Sequence, residues 1–371
     1  MSAPRQGAAA PARPDLTGAS LVVVAYASTD LLAANLAPLT RAVDGLTVVV
    51  VDNRTTHDER TRTLALGAAE GWTVLTPPDN GGFGVGCGLG VDEAHRLGAR
   101  HHVLLNPDAT TTPGDLAALV AAAREDDDAL VAPHIVRPDG STWSAGSDLY
   151  LDDGRIRSRR RRPADVDPAR VRPWLTGACL VLSDELWRRT GGFDDAYFLY
   201  WEDVDLSQRV VAAGGRLLLL DDVVVVHAEG GTQGTGGAGT GGGARTGAGA
   251  GGGEGAGGGA GLAAGAGGGA DVGDTASARA GAGAGATSAG EPKSATYYRG
   301  NIRGRALYAV RHLDDADLRR WHRLTPRVAW EVLLQGGRRQ FLTSPGTLAV
   351  GLRAALESRR IVRAELRRRS A

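Results

Sequence analysis

Short runs of aliphatic and β-branched residues alternate with longer amphipathic stretches through the first 130 positions of the chain. Each apolar run is four to seven residues long, which is strand length, and Ala-rich segments of about three helical turns separate them. Strands are predicted at Leu21–Tyr26, Leu46–Asp52, Trp72–Leu75 and His102–Asn106. Helices are predicted at Asp30–Val43, Arg60–Glu70, Gly86–Leu97 and Gly114–Arg124. This alternation predicts an α/β fold with a mostly parallel central sheet flanked by helices.

The pattern changes along the rest of the chain. Further strands are predicted at Ala129–Ala132, Cys179–Leu182, Leu217–Leu220 and Val223–Val226. Amphipathic helices with Arg on their polar sides are predicted at Tyr297–Arg311, Pro326–Gln335 and Thr347–Arg369. Their apolar faces have two open interpretations: they lie on a membrane surface, or they cover the α/β domain.

Composition divides the chain into four regions. Residues 1–18 are rich in Ala and Pro and are predicted to be disordered, and residues 19–229 form the α/β domain. Residues 230–292 are almost wholly Gly, Ala, Thr and Ser, and they are predicted to be a flexible insertion because they lack the large apolar side chains of a core. Residues 293–371 form an Arg-rich helical C-terminal region.

The formal net charge is zero, but it is unevenly distributed: from Tyr297 onward, 17 Arg stand against 6 Asp and Glu. Such a basic region suits an anionic surface, and it is equally consistent with a solvated face. Cys87 and Cys179 stand far apart, which predicts neither a disulfide framework nor a zinc site and favours a reducing compartment. No secretion signal or bilayer-spanning run is evident, so the expected location is cytoplasmic, with peripheral membrane contact through the Arg-rich helices.

The segment 198–209, FLYWEDVDLSQR, places three carboxylates beside aromatic residues where a helix is predicted to begin. Asp205 stands four residues before Arg209, so an ion pair along the helix explains it without catalysis. Asp203 has no cation at helical spacing. Asp203 is therefore the candidate active-site base.

Polar residues also follow the predicted strands, at the edge where open α/β sheets bind ligands. Asp52 closes one strand, and Asn106 and Asp108 follow another. A carboxylate at Asp108 suits a hard divalent cation, although an Asp in such a turn is also a common helix cap. The glycine-rich segment 80–90 lacks the G-x-G-x-x-G spacing, which argues against a dinucleotide-binding oxidoreductase.

Seven motifs in order resemble the family 2 glycosyltransferases, in particular their rhamnosyltransferase-like and galactofuranosyltransferase-like branch. The motifs are VVVAY (22–26), VVVVDN (48–53), NGGFGVG (80–86), LLNPD (104–108), TGACLVL (176–182), GGFDDAYFLYWEDVDLSQR (191–209) and His227. The resemblance covers residues 20–230 and resumes at 297–310. It implies a GT-A fold and an inverting transfer from a nucleotide-activated sugar, with a divalent metal, Mg²⁺ or Mn²⁺, at the diphosphate.

The resemblance also implies a role for individual residues. Asp203 is the base that deprotonates the acceptor hydroxyl, and Asp108 and His227 hold the metal. The implied donor-binding residues are Tyr26, Asp52, Gly82, Asn106 and Asp108. The implied acceptor-binding residues are Gly177, Trp201 and Glu202.

The predicted function is transfer of a sugar, with dTDP-rhamnose as the favoured donor, to a glycan or polyprenyl-linked glycan in cell-envelope polysaccharide synthesis. UDP-galactofuranose is an alternative donor, and no nucleic acid partner is expected. Two other function classes stay open: a catalytically degenerate scaffold or binding subunit, and a nucleotidyltransferase that attacks phosphorus instead of a sugar carbon.

Overall fold

A nine-stranded sheet forms the centre of the part described by this computed structural model, which comprises residues 12–228, 293–337 and 340–371. Strands β1 to β6 are Ala19–Ala25, Thr47–Asp52, Thr73–Leu75, His101–Leu105, Ala109–Thr110 and Ala129–Val136. Strands β7 to β12 are Thr142–Ser144, Ser147–Tyr150, Arg155–Ser158, Val171–Trp174, Cys179–Ser183 and Arg216–His227. The sheet order is β3-β2-β1-β4-β11-β6-β12-β5, with β7 paired to β6.

Helices cover both faces of this sheet. Helices α1 to α6 are Thr29–Leu31, Ala37–Arg41, His57–Glu70, Phe83–Arg96, Pro113–Glu125 and Asp184–Thr190, with a π-helical turn at Leu32–Leu36 between the first two. Helices α7 to α11 are Glu202–Ala212, Ala295–His312, Asp315–Leu334, Gln340–Thr343 and Pro345–Ser370. The α/β class with a C-terminal helical extension is therefore confirmed.

The predicted parallel pairing holds for β1 with β2 and β4, for β2 with β3, and for β6 with β12. Strand β11 is antiparallel to both of its neighbours, β4 and β6. The two strands predicted at 217–220 and 223–226 are one strand, β12, with a register shift between Leu220 and Val224 where Asp221 and Asp222 interrupt the apolar run. A second sheet, β10-β8-β9, is antiparallel, and the sequence pattern did not predict it.

The apolar faces of the C-terminal helices pack against the α/β domain. Helices α8, α9 and α11 share one hydrophobic cluster with Trp174, Trp201 and Val204. The second of the two interpretations is thus the one observed for these faces. In the described part of the chain, no helix combines the length and apolar composition that crossing a bilayer requires.

The predicted insertion 230–292 lies outside the described residues, which resume at residue 293. Most of the N-terminal segment 1–18 is also outside them. Leu16, within that segment, is buried, and its backbone N–H donates to the Asp44 carbonyl at 2.8 Å. The folded chain therefore begins before residue 19.

Candidate active site

Asp203 lies in the first turn of α7 and is buried. Its Oδ2 accepts a hydrogen bond from the Gly177 backbone N–H at 3.0 Å, and its Oδ1 accepts one from the Val204 N–H at 2.8 Å. Burial raises the pKa of this carboxyl to about 6, while the two backbone N–H groups oppose the shift. A carboxylate with a pKa near neutrality, held in one orientation by main-chain donors, is suited to accept a proton.

Glu202 is also buried, and its Oε2 has no hydrogen-bond partner among the described residues. Burial, together with the negative charge of Asp203, raises the pKa of Glu202 well above its ordinary value. Glu202 is therefore the member of the pair that keeps its proton, because two adjacent buried carboxylates do not both ionise readily. Its predicted contact with an acceptor stays a prediction.

Asp205, two residues further along α7, has a different environment. Arg209 Nε donates to its Oδ2 at 2.7 Å, and His312 Nε2 lies 2.7 Å from its Oδ1. Although burial alone would raise the pKa of Asp205, these partners lower it below its ordinary value. The ion pair predicted along the helix is present, and Asp205 serves to tie α7 to α8.

Asn106, Asp108 and His227 meet at the carboxyl ends of β4 and β12. His227 Nε2 lies 3.1 Å from Asp108 Oδ1 and 3.4 Å from Asn106 Nδ2. The Ala228 N–H donates to the Asp108 carbonyl at 3.0 Å, which fixes the end of β12 against this loop. His227 Nδ1 is buried and has no hydrogen-bond partner among the described residues.

The main chain connects this cluster to Asp203. The Asn106 N–H donates to the Ala178 carbonyl at 3.0 Å, and the preceding residue, Gly177, donates to Asp203. A methyl group on Gly177 would lie 3.6 Å from Asp203 Cβ, so the two residues are in direct contact. The predicted base and the predicted metal ligands therefore occupy the same edge of the sheet.

The predicted donor-binding residues lie at the ends of β1 and β2. Tyr26 is exposed, whereas Asp52 is buried and accepts a hydrogen bond from Arg60 Nε at 2.7 Å. The neighbouring Asn53 donates its Nδ2 to the Gly82 carbonyl at 3.0 Å. This contact joins the end of β2 to the glycine-rich segment.

Position 82 requires glycine because of its backbone conformation and the atoms that lie next to it. Its φ is +94°, and an added Cβ would lie 2.1 Å from the Phe198 carbonyl oxygen. The adjacent Phe83 N–H donates to that same carbonyl at 3.0 Å. Only glycine allows this approach, which brings the glycine-rich segment against the loop that leads to Asp203.

Tyr200 and Trp201 have φ values of 71° and 76°, in the left-handed region that residues other than glycine rarely adopt. The Trp201 indole is 2% exposed and packs against Tyr308 and Trp321 of the C-terminal helices, with ring centroids 5.6 and 6.3 Å away. Its predicted acceptor contact stays a prediction. Through this packing the C-terminal helices hold a strained turn directly before Glu202 and Asp203.

Comparison with known proteins identifies a relative for part of the chain. The chain is 30% identical over 140 residues to N-acetylglucosaminyl-diphospho-decaprenol L-rhamnosyltransferases from two strains of Mycobacterium tuberculosis. The match covers 34% of this chain and 46% of the relatives, so it spans about half the length of those proteins. No protein-family model matches the chain.

The matched relatives are rhamnosyltransferases, which agrees with the resemblance that the ordered motifs carry. The chain is similar to these glycosyltransferases over the matched residues.

Solved structures offer a weaker likeness to this chain. The mannosyltransferase PcManGT from Pyrobaculum calidifontis, in complex with GDP-Man and Mn²⁺, has a TM-score of 0.46 at 15% identity and covers 94% of this chain and 87% of its own. GalNAc-T7 with UDP, GalNAc and Mn²⁺ has a TM-score of 0.44 at 16% identity, covering 58% and 44%. Because both TM-scores are below 0.5, no functional assignment rests on them.

Two residues that contact the candidate site were not predicted from the sequence. Arg60 binds the predicted nucleotide residue Asp52 from eight positions away, and His312 reaches Asp205 from 107 positions away. The spacing of Arg60 to Asp52 crosses a strand end and a helix start, so no helical periodicity marks it. His312 lies after the insertion predicted at 230–292, and no local sequence pattern relates it to α7.

Proposed function

We propose that the chain transfers a sugar, with inversion, from a nucleotide-sugar donor to a hydroxyl of a polyprenyl-diphosphate-linked glycan. The observation that carries this proposal is the position of Asp203, a buried carboxylate oriented by Gly177 and linked through Ala178 to the Asn106, Asp108 and His227 cluster. Inverting transfer requires a base on the acceptor side and charge neutralisation on the leaving-group side. The site provides a candidate for each.

Asp203 would take the proton from the acceptor hydroxyl as that oxygen attacks the anomeric carbon of the donor. The raised pKa, about 6, brings the carboxylate closer in basicity to the hydroxyl than an ordinary Asp while leaving it ionised at neutral pH. The Gly177 N–H holds one carboxylate oxygen, so the position of the base is set by the main chain between β10 and β11.

A divalent cation fits the residues present. No group of three or more His, Cys, Asp or Glu in the described residues forms a complete metal site, but Asp108 and His227 are adjacent and His227 Nδ1 has no hydrogen-bond partner there. A two-residue set suits a cation that takes its other ligands from phosphates and water. Asp108 and His227 would hold Mg²⁺ or Mn²⁺, which would neutralise the charge of the departing nucleoside diphosphate.

The donor and acceptor classes follow the curated relatives. Their names specify rhamnosyl transfer to a diphospho-decaprenol-linked N-acetylglucosamine. We therefore place dTDP-rhamnose first among donors, ahead of UDP-galactofuranose, and a polyprenyl-diphosphate-linked sugar first among acceptors. The protein would meet such an acceptor at the inner face of the cell membrane.

Product analysis tests the proposal. Purified protein would be incubated with dTDP-rhamnose, UDP-galactofuranose or GDP-mannose, Mg²⁺ or Mn²⁺, and a short-chain prenyl diphosphate bearing N-acetylglucosamine. We expect release of nucleoside diphosphate in step with a glycosylated lipid product of inverted anomeric configuration. Pyrophosphate release would instead identify a nucleotidyltransferase, and donor binding without turnover for any pair would identify a binding subunit.

A further inference from the structure

Three consecutive arginines form an exposed 3₁₀ turn, Arg159–Arg161, directly after β9. A run of like charge on a loop is most often a solvated face. Two features separate this turn from that ordinary case. Its backbone is hydrogen-bonded at both ends, and it lies on the face of the sheet that carries α7.

The support of the turn comes from a buried acid and a glycine. Arg162, which follows the turn, makes two hydrogen bonds to Asp148, whose side chain is fully buried, at 2.7 and 2.5 Å. At the other end, the Arg159 N–H donates to the Gly146 carbonyl at 3.1 Å. The Arg159 side chain also lies over Gly146, since an added Cβ there would be 3.5 Å from Arg159 Cδ. The backbone of the turn is therefore fixed on both sides, which lowers the entropy lost when a ligand binds.

The positive charge of the turn is only partly neutralised. Arg160 pairs with Asp221 at 2.9 Å. Arg159 and Arg161 form no ion pair within residues 12–228, 293–337 and 340–371. The guanidinium groups of Arg159 and Arg161 therefore have no counter-ion among the residues that the structure describes.

Strand register places the turn near His227. Arg160 Nη1 lies 3.5 Å from Thr142 Oγ1. Thr142 is opposite Val136, and Val136 is opposite Val226, the residue before His227. These residues form a row across three adjacent strands, so Thr142 is about 10 Å from the end of β12.

The turn also shares a face of the sheet with α7. A methyl on Gly146, beneath Arg159, would lie 3.8 Å from Leu219 Cδ2. Leu219 packs against the hydrophobic cluster that contains Leu206 and Val210 of α7. The arginines are therefore on the side of the sheet that carries Asp203, where an acceptor must approach.

We propose that Arg159 and Arg161 bind the diphosphate of the lipid-linked acceptor. This inference rests on the proposed function, in which the acceptor sugar is joined to its lipid through a diphosphate. Guanidinium groups match phosphate oxygens in charge and in the fork geometry of their N–H donors. Binding the diphosphate at the rim would leave the attached sugar to extend toward Asp203, and it would set which hydroxyl reaches the base.

A binding measurement tests this without requiring turnover. The probe is citronellyl diphosphate, with citronellol as its uncharged counterpart, titrated into the full chain by calorimetry. Arg159→Gln combined with Arg161→Gln should weaken diphosphate binding by roughly 30-fold, because two charge-assisted contacts are lost. Affinity for the nucleotide-sugar should not change. The matched control is Arg353→Gln with Arg360→Gln, two exposed arginines of α11 that remove the same charge elsewhere and should change probe affinity by less than about twofold.

Two further measurements complete the test. The first distinguishes a membrane surface from the acceptor diphosphate as the source of the phosphate, and the second distinguishes failure of this inference from failure of the proposed function. Sedimentation with phosphatidylglycerol-containing vesicles should show equal binding for wild type and the Arg159/Arg161 variant. Loss of vesicle binding with unchanged affinity for citronellyl diphosphate would assign the turn to a membrane surface and overturn the proposal. Equal probe affinity in wild type and variant would overturn it too, and if wild type still glycosylates its acceptor the proposed function would stand. Failure of all glycosyl transfer, with the predicted loss of probe binding, would instead reject the proposed function alone.

Discussion

The two edges of the central sheet carry polar clusters of similar residue types. The clusters differ in how completely their polar groups are hydrogen-bonded. At the amino ends of the parallel strands, His102 lies with Nδ1 2.8 Å from Ser20 Oγ and Nε2 3.1 Å from Asp184 Oδ1. Ser, His and Asp in this order are the residue types of a hydrolase triad. Ser20 and His102 are both 0% exposed, so no substrate can reach the hydroxyl. This cluster is a structural network that joins β1, β4 and α6.

At the carboxyl ends of the strands the polar groups are less completely paired. Glu202 Oε2 and His227 Nδ1 are buried without hydrogen-bond partners among the described residues, and Tyr200 and Trp201 hold left-handed backbone conformations. Unpaired buried polar atoms and backbone strain both cost free energy. Residue type alone therefore does not identify the candidate site, because both edges carry His and carboxylate side chains. Unused bonding capacity and local strain distinguish the carboxyl edge, where we expect the chemistry, from the amino edge.

Loss of the base is the largest effect expected at the carboxyl edge. Asp203→Asn keeps the size of the side chain but removes the charged proton acceptor, so turnover should fall at least roughly 100-fold while donor affinity stays nearly constant. Steady-state kinetics and donor titration measure the two quantities. The matched change at the amino edge is Asp184→Asn, which should lower the melting temperature but not kcat per folded molecule. Near-normal turnover of the Asp203 variant would remove this residue from the mechanism.

The next effect concerns the cluster of Asn106, Asp108 and His227. His227→Gln should weaken binding of a nucleoside diphosphate about 10- to 100-fold when Mn²⁺ is present, because one proposed metal ligand is lost. Binding measured in EDTA should be equal for wild type and variant. Calorimetric titrations under both conditions provide the test. An equal loss with and without metal would show that His227 contacts the nucleotide or supports the fold, and not the cation.

Much of the sheet and its site could be predicted because the information is local. Aliphatic runs mark β1, β2, β4 and β11, and the polar residues that follow strands, such as Asp52 and Asn106, lie at the edge where open α/β sheets bind ligands. The ion pair of Asp205 with Arg209 follows from helical spacing.

The remaining features depend on contacts between distant segments. Short strands with many Arg residues, such as β9, lack the hydrophobic alternation on which strand prediction relies. The contact of His312 with Asp205 and the burial of Trp201 against Tyr308 require the packing of α8 on α7, which no local pattern specifies. The same limit applies to His102, whose partners Ser20 and Asp184 are each 82 residues away.

A smaller effect, in the pH dependence of stability, separates the two edges by sign. Burial lowers the pKa of His102 below its ordinary value of 6.5, so the folded state binds fewer protons there than the unfolded state. Its contribution to stability is present above pH 6.5 and is lost as pH falls toward the folded pKa. Asp203 behaves oppositely: its pKa rises from 3.8 to about 6, so its contribution falls as pH increases from about 4 to about 6.

Urea unfolding of wild type, His102→Phe and Asp203→Asn between pH 4 and 8 measures both signs. The His102 variant leaves buried Ser20 and Asp184 without their partner, so it should be less stable than wild type by roughly 1–3 kcal/mol at pH 7, with the deficit shrinking as pH falls below 6.5. The Asp203 variant cannot ionise at this position, so it should gain stability relative to wild type as pH rises to about 6 and keep a constant difference above it. A deficit for the His102 variant that did not change with pH would mean that His102 keeps the same protonation state in the folded and unfolded chains, and the proposed opposition in sign between the two edges would be wrong.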